Sequence, residues 1–77
     1  MTMASMALVN QAEALFASSL QPSDRPTPRE TRAAIDATLL VYGGPAGCAA
    51  RLAAEYGEHP EVAVLRMRWA LALVSAV

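Results

Sequence analysis

The chain is 77 residues long, carries a net charge of −1 and contains one cysteine and one histidine. That excludes an intrachain disulfide, the roughly four ligands of a structural zinc, and the positive field that draws phosphate backbones or anionic lipid. A chain of this size buries only about 60% of the surface its unfolded form exposes, so self-association is the expected source of added stability.

The first predicted element is an amphipathic helix from about Ala4 to Ser19, within an N-terminal unit of residues 1–20. Leu8, Val9, Ala12, Leu15 and Phe16 share one arc at helical spacing. Asn10, Gln11, Ala14, Ala17 and Ser18 take the other side. Residues 21–27 hold Pro22, Pro26 and short polar side chains. This composition stops a helix and predicts an extended connector.

Residues 28–77 are expected to form a three-helix unit. Thr27-Pro28-Arg29-Glu30 has the pattern of a capping box with proline in the first turn. The second helix follows from Pro28 to about Tyr42. Thr31, Ala34, Ile35, Thr38, Leu39 and Tyr42 lie on its inner side, and Arg29, Arg32 and Asp36 on its wet side. Gly43 is the expected C-cap, because glycine accepts the left-handed conformation. Gly43-Gly44-Pro45 lacks the lysine and the GxxxxGK[ST] spacing of a phosphate loop, so it reads as a turn.

The third helix is expected from Pro45 to Tyr56, ending at Gly57. It turns Cys48, Ala49, Leu52, Ala53 and Tyr56 inward, with Arg51 and Glu55 four apart outside. Cys48 in its first turn reads as a buried small hydrophobe, with a pKa drawn somewhat downward by the helix N-terminus. His59 has no flanking ligands at metal spacing and reads as a turn residue. Glu55, Glu58 and Glu61 read as solubilising and helix-terminal charges.

The fourth helix, Pro60 to Val77, is apolar nearly all round. Only Glu61, Arg68 and Ser75, spaced seven apart, form a polar line. Such a helix must be covered on most sides. The expectation is that it is the central post of a small bundle or is covered by a second molecule. Leu65, Arg66, Arg68, Trp69 and Leu73 are its candidate interface residues. Arg66 departs from the polar line and needs a carboxylate, an aromatic face or a route to water. An intramolecular partner and an interface role both remain open for it. So do core and interface roles for Trp69.

The stretch Cys48-Ala-Ala-Arg-Leu-Ala-Ala-Glu-Tyr-Gly57, followed by a new helix at Pro60, resembles the helix-turn-helix of bacterial regulators. Ala53 and Gly57 match that motif's small residue and its turn glycine. The resemblance covers about 20 residues and implies that the fourth helix enters the DNA major groove. His59, Pro60, Glu61, Val64, Leu65 and Arg68 would then face the bases. Two are aliphatic and one is acidic, where a reader of bases needs polar and basic groups. Arg66 would occupy an inward position that is usually aliphatic.

The expected fold is therefore all-α, a small four-helix domain with a helix-turn-helix-like C-terminal unit. The expected function is protein–protein interaction, through self-association or a larger protein partner, with a regulatory role. The alternative is a dimeric helix-turn-helix regulator that binds DNA. No nucleophile–base pair, metal set or cofactor loop is found, so neither catalysis nor a cofactor is expected. No run of about 20 apolar residues spans a membrane, and Arg66 and Arg68 interrupt the longest. The N-terminus lacks a basic, then apolar, leader, so the cytoplasm is the expected compartment. All six basic residues are arginine, which together with the abundant alanine points to a GC-rich genome, such as that of an actinobacterium.

Overall fold

Local signals place the helix ends. Thr27 accepts the Glu30 N–H at 3.1 Å, while the Glu30 carboxylate accepts the Thr27 N–H at 2.8 Å. Two otherwise orphaned donors are thus satisfied. At the far end of the same helix Gly43 takes the left-handed conformation, φ 75°. Its N–H reaches the Leu40 carbonyl at 3.4 Å, and Gly44 N–H reaches Leu39 at 2.7 Å. This is a Schellman closure, and it needs glycine because a Cβ disfavours that φ.

The computed structural model describes residues 3–76. Among them stand four α-helices and no strand: α1 (Met3–Ala17), α2 (Pro28–Tyr42), α3 (Pro45–Glu58) and α4 (Pro60–Ala76). The all-α fold expected from the sequence is the one observed. Val77, the last residue expected in the fourth helix, lies outside the described residues.

The connector is not extended. Pro22–Asp24 forms a 3-10 turn. The Asp24 carboxylate accepts the Gln21 N–H at 2.8 Å and so folds the chain back on itself. Arg25 follows in the left-handed region, φ 47°.

The central helix is α1, not α4. It packs against all three of the others. Ala12, Ala14, Leu15 and Phe16 are all buried, so its last turns are covered on nearly every side. Ala14, expected on the wet side, is fully buried. Its methyl lets a neighbouring helix approach closely, which a periodicity weighted by large side chains does not register. Around it lie Ile35 of α2, Cys48 of α3, and Ala63, Ala70 and Val74 of α4. Leu52, Tyr56, Met67, Trp69 and Leu73 pack at the margin.

Two buried threonines on α2 return their hydroxyls to the helix. Thr31 Oγ1 donates to the Thr27 carbonyl at 2.9 Å and Thr38 Oγ1 to Ala34 at 2.6 Å. Back-bonding of this kind lets a polar side chain enter a core. The inner face expected for α2 is present at Thr31, Ile35 and Thr38, and Tyr42 lies at its exposed edge.

The core is rich in alanine and poor in large side chains. Each fully buried large apolar side chain contributes about 1.5–3 kcal/mol, and alanine much less. The chain still closes on itself. Its radius of gyration is 11.5 Å. A compact domain of this length is expected at about 11.5 Å.

Candidate protein interface

The outward face of α4 follows from which of its residues the core takes. Ala63, Ala70 and Val74 are buried, and Arg66, Met67, Trp69 and Leu73 are half-buried. Everything else on the helix faces out. Val62 and Leu65 are each 64% exposed, and Val64 and Leu71 are exposed on the other side of the Glu61–Arg68 line. Glu61, Arg68 and Ser75 run along the same face, as do Ala72 and Ala76. Gln21 and Pro22 of the connector border Val62 and Leu65, so the apolar surface extends beyond the helix.

The five candidate residues read from the sequence do not share one surface. Leu65 and Arg68 are on the outward face. Trp69 and Leu73 pack against the core. Arg66 turns inward to the C-terminal end of α1. Its Nε donates to the Phe16 carbonyl at 2.8 Å. Its Nη2 lies 2.8 Å from the Leu20 carbonyl, 3.0 Å from Ser18 and 3.5 Å from Leu15. Leu15 and Phe16 are in the last turn of α1, where the peptide dipoles concentrate partial negative charge, and Ser18 and Leu20 follow just after the helix.

Ser18 completes the same closure. Its hydroxyl donates to the Leu15 carbonyl at 2.6 Å and accepts the Leu20 N–H at 3.3 Å. The Arg66 guanidinium lies 4.9 Å from the centroid of the Trp69 ring and 5.8 Å from that of Phe16. Phe16 in turn stacks on Tyr56, with centroids 6.0 Å apart. Burial lowers the Arg66 pKa and the nearby Glu55 carboxylate opposes that shift. An arginine starts so high that it stays charged at neutral pH. Of the roles left open for Arg66, the structure shows the intramolecular one.

The remaining chemistry-bearing residues are placed as follows. Cys48 is fully buried, and burial pushes its thiol pKa up, with the Glu13 carboxylate adding to the rise. The downward pull expected from the helix N-terminus is outweighed. Arg51 and Glu55 pair at 3.0 Å across one turn of α3. His59 is an exposed turn residue whose N–H donates to Glu55 O at 2.7 Å. Among the described residues, no group of three His, Cys, Asp or Glu side chains is placed to hold a metal. No helix there is long and apolar enough to cross a membrane.

The turn between α3 and α4 departs from the helix-turn-helix pattern in two details. Gly57 lies inside α3 rather than in a left-handed turn, and the break falls at His59. Ala53, matched to the inward small residue, is exposed.

A second apolar surface escaped the sequence reading. Leu40 is 87% exposed and Val41 78%, in the last turn of α2. The signal was present in the run Leu39-Leu40-Val41. Successive residues on a helix point about 100° apart, so three in a row cannot all reach one core. Comparison with protein-family models, curated proteins and solved structures finds no match to this chain.

Proposed function

We propose that this chain is a small protein–protein interaction module that self-associates through the outward face of α4. The observation that carries this reading is the exposure of Val62 and Leu65, 64% each, on a helix that buries Ala63, Ala70 and Val74 on its other side. Exposed apolar side chains flanking a charged line mark an interaction site more often than ordinary surface. Arg68 and Glu61 supply orientation, since Arg66 is engaged within the chain.

The structure also selects the right variant. Trp69→Ala would disturb the Arg66 closure of α1, so loss of assembly in that variant would be ambiguous. Leu65→Ser changes a mainly outward-facing side chain and leaves the Arg66 hydrogen bonds in place. Sedimentation equilibrium across a concentration series is expected to show a dimer in the wild type and a helical monomer for Leu65→Ser. The same experiment on Leu40→Ser, on the other apolar surface, is expected to leave the dimer intact. A wild type that stays monomeric at several hundred micromolar would overturn the reading. Salt-sensitive binding to duplex DNA would favour the DNA-binding alternative instead.

A further inference from the structure

Glu61 and Arg68 stand seven residues apart on α4. That spacing puts them about 10 Å apart along the axis and within about 20° of each other around it. Both are exposed. Neither is paired within the chain, since among the described residues the only side-chain ion pair is Arg51–Glu55. Val62, Leu65 and Ala72 form an apolar stripe along one border of this charged line.

Opposite charges at equal distances from a midpoint discriminate between pairings of two identical helices. Parallel packing sets Glu61 against Glu61 and Arg68 against Arg68. An antiparallel two-fold axis centred on Arg68 also sets like charge on like. An antiparallel axis midway between Val64 and Leu65 sets each Glu61 against the Arg68 of the other copy, and Leu65 against Leu65. Like charges held together suppress the wrong register, as they do in paired helices generally.

We infer that the occupant of this face is a second copy of the chain, docked antiparallel about an axis at Val64–Leu65 with reciprocal Glu61–Arg68 ion pairs. The inference rests on the self-association reading above and adds the orientation and register. The contact is one helix wide and about 25 Å long, smaller than the roughly 800 Å² per partner of a standard interface. A micromolar, reversible dimer is therefore expected.

The test uses the full chain and measures dimer dissociation by sedimentation, with helicity checked by circular dichroism. Glu61→Arg and Arg68→Glu are each expected to raise Kd about tenfold, because one reversal creates two repulsive contacts in a symmetric dimer. The double variant Glu61→Arg/Arg68→Glu is expected to restore the wild-type Kd. An equimolar mixture of the two single variants is expected to form heterodimers. Cysteine crosslinking in a Cys48→Ser background gives a second readout. Leu65→Cys is expected to form a disulfide-linked dimer. Ala72→Cys is not, because its two copies would lie about 22 Å apart along the antiparallel pair and a disulfide spans at most about 7 Å. A dimer that crosslinks through Ala72→Cys, or a Kd that neither charge reversal changes, would overturn the register but leave self-association standing. A wild type with no dimer would overturn both.

Discussion

The Nε–H of Arg66 donates to the carbonyl of Phe16 at 2.8 Å, joining positions 50 residues apart in the chain. The same guanidinium reaches Leu20 at 2.8 Å and Ser18 at 3.0 Å. An arginine on the fourth helix thus closes the end of the first. The central helix is held at its C-terminus by a charge from the helix that carries the exposed apolar face.

Removing this group should be costly for a partly exposed side chain. Arg66→Ala leaves several carbonyls without a protein partner and is expected to destabilise the fold by about 2 kcal/mol. Arg66→Lys should recover less than half of that loss, since an ammonium cannot fork across several carbonyls while lying flat on Trp69. Urea titration followed by Trp69 fluorescence measures both. A shift in the midpoint with an unchanged slope would show a loss of native stability rather than a changed unfolded state.

Two glycines on α3 should respond in opposite directions. A Cβ at Gly47 would collide with the Tyr42 carbonyl, where the start of α3 crosses the end of α2. Gly47→Ala is expected to cost about 1–3 kcal/mol, because backbone must move to admit it. A Cβ at Gly57 meets nothing within 4 Å. Gly57 lies inside the helix, so Gly57→Ala is expected to stabilise by about 0.5–1 kcal/mol. Thermal melts of the two variants decide the matter, and equal effects would contradict the geometry.

The buried thiol predicts a pH dependence with a definite sign. Burial and Glu13 hold the Cys48 pKa above its unfolded value. Below the unfolded value both states keep the proton, and this contribution to stability is fully present. As pH rises past about 8.5 the unfolded chain releases its proton first, so stability falls towards the raised folded pKa. Wild type should therefore lose more stability between neutral and alkaline pH than Cys48→Ala. Its reaction with a chromogenic thiol reagent should be slow in the native state and fast in urea.

The Thr27 capping box should be worth about 1 kcal/mol to α2. Thr27→Ala and Glu30→Ala each break one of the two reciprocal hydrogen bonds. Chemical unfolding of both single variants and of the double should give less than additive losses, as expected of groups that act together.

The start and end of α2, the glycine turn after it and the Arg51–Glu55 pair were legible in the sequence by itself. Each depends on residues within about five positions of one another, where local chemistry decides. The centrality of α1, the inward Ala14, the exposed Ala53 and the fold-back at Asp24 were not. Alanine suits a core, a surface or a helix crossing equally well, so its side of a helix is set by the helices that come to rest against it. Periodicity offered α4 as the post of the bundle or as a helix covered by a second molecule, because it weighs side chains by size. Packing chose α1 because small side chains let three helices approach it at once. Arg66 and Leu65 stand next to each other in the sequence, and only the tertiary arrangement turned one into a structural closure and left the other facing outward.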